Sequence, residues 1–240
     1  MGFYEDSKFK VDPSLARHHE EEFESFAAAG TWLTGEERTA IARQARYARC
    51  RAGVQEATDA EDESPADDVL PNALLDLVTQ IAVAPKDIEH SFFERTLAAA
   101  ISDAEYVETV GVVARLANLD VFARGIGVAM RPLRDPLEGE PSYERPDTAV
   151  DEGAWVPTVP SDESGGAAAK AVYGGNMMPF IYRALSLVPA EAARVIHGGN
   201  IQYLPLSKFF DFSYSHHPSL SRPQVETVAG RVSAINECFY

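Results

Sequence analysis

Hydrophobic and polar positions alternate along this chain with helical spacing almost throughout. Leu70, Leu74, Leu77, Val78 and Ile81 recur at i, i+4, i+7, i+8 and i+11, which lines one face of a helix over 70–84. Pro85 closes it, and 88–100 forms a further short helix. Residues 1–30 are a helical lead-in, and 31–58 hold a helix in TWLTGEERTAIARQARYARCRAG. The strongest helix is SDAEYVETVGVVARLANLDVFARGIGVAM, from Ser102 onward. Order returns at 176 as a segment helical on both sides of Pro189, and a last helix runs through SLSRPQVETVAGRVSAINECFY.

Helix starts are marked by capping boxes, in which two side chains satisfy backbone N–H groups that have no partner in the first turn. Thr34 with Glu37, Ser102 with Glu105, and Ser221 with Gln224 have this spacing. Pro223 is tolerated in the first turn of the last helix. No stretch alternates with the period of two expected of a half-buried strand, so the fold class is all-α. Residues 131–170 carry six prolines and four glycines with little periodicity and read as a linker or irregular excursion. Between 59 and 68 lie six acids and no base, a solvated loop.

Two helices share a string. Val107, Glu108, Thr109 and Val110 fall on Val225, Glu226, Thr227 and Val228, and Asn118 falls on Asn236, all at an offset of 118. Both copies follow a capping box, which favours an internal duplication. The expected organisation is a helical half over 1–130, the Pro/Gly-rich linker over 131–170 and a second half over 171–240. At the place of Cys238 the first copy has Asp120.

Composition narrows the function. The 240 residues are 45% apolar, enough for a packed core, and no run of 18 apolar residues would span a membrane. The charged start MGFYEDSKFK lacks the apolar centre of a signal peptide, so a cytoplasmic location is expected. A net charge of −16 argues against nucleic acid and anionic membranes as partners. Two cysteines exclude a disulfide scaffold and a multi-cysteine metal site. His18–His19 and His216–His217 are adjacent pairs whose rings diverge on a helix, so neither makes a metal site by itself. No metal and no cofactor is expected. His90 and His197 read as polar helix-end residues, and GGN at 174–176 and 198–200 as turns. Arg38, Arg43, Arg46, Arg49 and Arg51 read as a solvated face or as ion-pair partners of the acidic loop.

The C-terminal string GRVSAINECFY, with Glu226 twelve residues before Cys238, resembles the alkylhydroperoxidase D-like members of the carboxymuconolactone decarboxylase superfamily, whose motif is E-x11-C-x-x-C-x3-H. The closest likeness is to alkylhydroperoxidase-related proteins, some of them selenoproteins with C-x-x-Sec. Residues 88–125 and ALSLVP resemble other helices of that fold. The resemblance implies two related helical halves, thiol- or selenol-dependent reduction of a hydroperoxide, an external dithiol reductant and a homo-oligomer. It assigns proton handling to Glu226 and the first redox position to Cys238. The second redox residue and the histidine would be positions 241 and 245. A selenocysteine codon read as stop would leave a chain ending on NECFY, and the sequence as given is then expected to be impaired. In the family the redox pair opens a helix, whose N-terminus favours a thiolate.

Twelve residues of straight helix rise about 18 Å. Glu226 therefore meets Cys238 only if the helix breaks near Asn236 or the carboxylate arrives by another route. Cys50 in YARCRAG matches the second cysteine of a C-x-x-C, with Tyr47 in place of the first and no histidine at Val54, and reads as a vestigial site or a structural thiol. The alternative to the peroxidase is a non-catalytic helical oligomer or binding protein that keeps the fold without the chemistry. Carbon-acid chemistry of the decarboxylase branch would need a histidine base, and none is well placed.

Overall fold

The computed structural model describes residues 2–57 and 64–238. Among them are nine α-helices: α1 (Pro13–Ala27), α2 (Gly35–Arg51), α3 (Asn72–Val83), α4 (His90–Ala98), α5 (Asp103–Gly125), α6 (Gly166–Tyr173), α7 (Phe180–Arg183), α8 (Pro189–Gln202) and α9 (Arg222–Ile235). The fold is all-α. The described residues contain one isolated bridge, Val150 with Thr158, and no longer strand pairing.

The caps act as their spacing implies. Thr34 with Glu37 and Ser102 with Glu105 form reciprocal boxes at α2 and α5. At α9 the Gln224 side chain accepts from the Ser221 N–H at 2.9 Å. Asp12 caps α1 by accepting from Ser14 N at 2.8 Å. Pro189 opens α8 instead of standing inside a helical run, as a first-turn proline can because its missing N–H would have had no partner. GGN at 198–200 is no turn: it continues α8, whereas Gly174 at the earlier GGN does cap α6 in a left-handed conformation.

The core is built around α5. Along that helix Tyr106, Val107, Val112, Val113, Leu116 and Leu119 are all buried, and α1, α2, α3 and α8 pack against it. α2 and α3 form the closest helix pair, joined through Ile41, Ala45, Leu74 and Leu77. A smaller cluster joins α6 to α8 through Val172, Tyr173, Ala192 and Ile196.

The Pro/Gly-rich stretch is ordered by backbone bonds to α1 and its exit. Leu137 N donates to Ala27 O and Tyr143 N to Thr31 O, each at 2.8 Å. Arg145 grips Asp103 with two bonds of 2.7 Å, and Val156 enters the main core. Its last residues already belong to α6, a helix of eight residues without a side-chain cap. Of the acidic loop, 59–63 lie outside the described residues. The remainder is pinned to α2, with Ala66 N donating to Gln44 Oε1 at 3.1 Å and Arg43 pairing with Asp68.

Candidate functional site

Three of the five arginines of α2 are not solvated, whereas Arg51 is exposed. Arg38, Arg46 and Arg49 are buried, because their row of α2 points at α5, whose acids neutralise them. Arg38 pairs with Glu108 of α5 and, at 3.0 Å, with Glu191 of α8. Glu191 also takes Arg115 of α5 at 2.7 Å, and Arg115 reaches Glu22 of α1. Five buried charged side chains on four helices thus form one alternating chain, Glu108–Arg38–Glu191–Arg115–Glu22. Trp32 N adds a 2.7 Å bond to Glu108. A second set joins Arg46 to Asp120 at 2.7 Å, with Arg49 at 3.7 Å. Among the described residues, Arg43 pairs with the acidic segment, at Asp68, in the way its position implies.

Burial is the largest influence on both central carboxyls, and their partners decide the outcome. Glu108 is pushed up by desolvation, which Arg38 only partly opposes. Desolvation also pushes on Glu191, but Arg115 and Arg38 together outweigh it and hold the group below its ordinary value. Two glycines make the chain possible. A Cβ on Gly30 would collide with Glu108 and Arg38, and one on Gly111 with Glu191.

The C-terminal residues singled out in the sequence are not brought together. Glu226 sits on α9, with Tyr203 donating to its Oε2 at 2.6 Å and Arg222 Nε donating to Oε1. The Tyr203 hydrogen bond, with Arg222 behind it, keeps this carboxyl below its ordinary value. α9 ends at Ile235 and Asn236 caps it. Glu237 then takes φ +52°, and Cys238 N bonds back to Ser233 O at 3.0 Å. Cys238 is exposed and lies twelve residues beyond Glu226, past the C-terminal end of α9. It follows the carbonyl end of α9, so it receives none of the N–H groups that a helix start presents to an anion. Cys50 is half-buried near the end of α2, with Gln55 Nε2 3.8 Å from its sulfur.

Several cavities open beside α5, and one of about 420 Å³ lies between α3, α4, α5 and the 154–158 segment. Its walls are apolar: Ile81, Ile88, Phe93, Val107, Val110, Val156 and Leu185, with Trp155 and Phe180 at the solvent side. Phe93 stacks edge-on with Tyr106 at 5.1 Å. Tyr106 is 8% exposed, lines this cavity and has no hydrogen-bond partner among the described residues. Burial raises its pKa, so the phenol stays a donor.

Another cavity, about 210 Å³, lies between α1, α5 and α8, with His18, Glu22, Arg115, Arg194 and Gln202 set in a partly apolar wall. Beside it His19 is fully buried between Tyr4 and Gln202. Gln202 gives its oxygen to Asn118 at 2.8 Å, so its amide donates to His19 Nε2 at 2.8 Å. The His19 proton is then on Nδ1, facing the Tyr4 hydroxyl at 2.9 Å. Desolvation, helped by the neighbouring His18, lowers the His19 pKa to about 4. None of these partners follows from the sequence alone, because they lie from 15 to 183 positions apart.

No described helix is long and apolar enough to cross a membrane. Among the described residues no three His, Cys, Asp or Glu side chains stand together as a metal site. No family model, curated protein or solved structure matches the chain.

Proposed function

We propose that this chain is a helical binding protein whose apolar cavity between α3, α4 and α5 takes a small apolar molecule carrying one hydrogen-bond acceptor. The observation that carries this reading is the Tyr106 side chain, 8% exposed, lining an apolar cavity of about 420 Å³ with its hydroxyl unmatched by any described protein group. Ligand cavities of that volume are typically apolar with few polar groups fixing orientation. A hydroxyl presented to such a cavity can donate to a ligand carbonyl. Acetophenone and ethylbenzene, measured by calorimetry, test the reading. Acetophenone is expected to bind more tightly, and Tyr106→Phe to erase the difference while Val110→Trp abolishes both. If neither compound binds, or if Val110→Trp has no effect, the reading fails.

A second reading keeps the resemblance to the alkylhydroperoxidase D-like proteins, and the exposure of Cys238 favours it. A thiolate would attack the hydroperoxide, breaking the O–O bond, releasing an alcohol and leaving a sulfenic acid. An external dithiol would reduce that acid to thiol and water and become a disulfide. Glu226, held by Tyr203 and Arg222, would handle protons only after release from both. The gene sequence past codon 240 and a peroxide-dependent dithiol oxidation assay of the extended protein test this reading. A TAA or TAG codon, or turnover unchanged by Cys238→Ser, overturns it.

A further inference from the structure

We propose that the cleft between α1, α5 and α8 is a second binding site, built for a small carboxylate. Three observations independent of the apolar cavity converge there. The first is space: about 210 Å³, the liquid volume of roughly seven waters, opens beside His18, Arg115, Arg194 and Gly198. Gly198 lies inside α8, where glycine is a poorer helix former than alanine. A Cβ there would stand 3.0 Å from His18 Nε2, so the glycine keeps that nitrogen accessible.

The second is an unmet polar group. His18 is 5% exposed, its ring is held edge-on by His197 at 5.0 Å, and it makes no hydrogen bond to any described residue. Buried imidazoles normally find partners for their nitrogens. The third is the balance of donors and acceptors. The one carboxylate in the wall, Glu22, has both oxygens occupied, Oε2 by Arg115 and Oε1 by Arg194 at 3.2 Å. Arg194 is half-exposed, and that single pair through Nη1 is its only bond among the described residues. The remaining edge of its guanidinium and an imidazole N–H offer donors with no acceptor between them. A carboxylate of two to four carbons supplies that acceptor, matches the guanidinium fork and fits the volume.

The test uses the full chain at pH 7.5, with acetate, propionate and succinate as probes and acetamide as the neutral isostere. Calorimetry is expected to show one site per chain, with a Kd below 1 mM for at least one carboxylate and at least tenfold weaker acetamide. Arg194→Met is half-exposed and should fold normally, which unchanged melting verifies; it should weaken binding at least tenfold, as should Gly198→Ala. Tyr106→Phe should leave this binding unchanged, which separates the site from the apolar cavity. The proposal falls if no carboxylate binds at 10 mM, if acetamide binds equally well, or if Arg194→Met binds like the parent.

Discussion

Replacing Glu191 with glutamine removes one negative charge from the middle of the buried chain of ion pairs. Glu191 is 2% exposed and accepts from Arg38 and from two nitrogens of Arg115, at 2.7–3.0 Å. Glutamine keeps the volume and one acceptor oxygen, so the change is mainly electrostatic. Two guanidiniums are then left sharing Glu108 and Glu22, and Glu108 is the carboxyl that burial already pushes toward its neutral form. Removing one member of a buried ion pair costs about 3–5 kcal/mol, because the charge left behind stays desolvated. In a chain of this size each kcal/mol lowers the melting temperature by about 2–4 °C, which gives a fall of about 6–20 °C. Glu226→Gln is the internal control: its pair with Arg222 is an i,i+4 contact on a side chain 41% exposed, worth about 0.3–0.5 kcal/mol. Differential scanning calorimetry of both variants at pH 7 decides the matter. A Glu191→Gln melting point within 2 °C of the parent would refute the claim that the buried chain is electrostatically coupled.

Other outcomes follow from the same geometry. Gly111→Ala should destabilise by about 1–3 kcal/mol in urea titrations, despite alanine's better helix propensity, because the new methyl meets Glu191; a neutral or stabilising effect would contradict the close approach. His19 has a folded-state pKa below its ordinary value, so its contribution is complete above about pH 6.5 and is lost as the pH falls toward about 4. That interval corresponds to about 3 kcal/mol, and His19→Gln should flatten the stability profile between pH 6.5 and 4 relative to the parent. Asp120→Asn should destabilise the fold by removing the buried carboxylate that Arg46 and Arg49 share, measured by the same urea titrations; an unchanged midpoint would contradict that role.

Local features of this fold are legible in the chain and distant ones are not. Each capping box is written within four residues, so the starts of α2, α5 and α9 can be read directly. α6 escapes notice because GAAAKAVY is short, lacks a side-chain cap and lies at the edge of a Pro/Gly-rich stretch. The arginine row of α2 is misjudged for a physical reason: charge alone reads as solvation, and the acids that neutralise it lie between 70 and 153 positions away. A signal was present nonetheless. Glu108 and Asp120 stand at the helical spacing of the buried Val112, Leu116 and Leu119, and acids in such a setting need buried cations. The two cavities leave no local trace, since each is assembled from three or more helices.

The sister strings on α5 and α9 show how context, not local sequence, assigns a role. Val107, Glu108 and Thr109 are buried among four neighbouring helices, and Glu108 is completed by an arginine from another helix. Val225, Glu226 and Thr227 begin alike, yet Glu226 is completed by an arginine one turn earlier on its own helix. Val228, Val232 and Ile235 remain more than half exposed. Glu108, buried and bonded across helices, helps hold the fold together; Glu226 sits in a partly exposed i,i+4 pair and accepts a second bond from Tyr203. Under the peroxidase reading, proton handling is proposed for Glu226 and a structural role for Glu108. Comparing Glu108→Gln with Glu226→Gln separates the roles: the first should lower stability by several kcal/mol, and the second should alter only peroxide turnover of the extended protein. A large stability loss in Glu226→Gln would reverse that assignment.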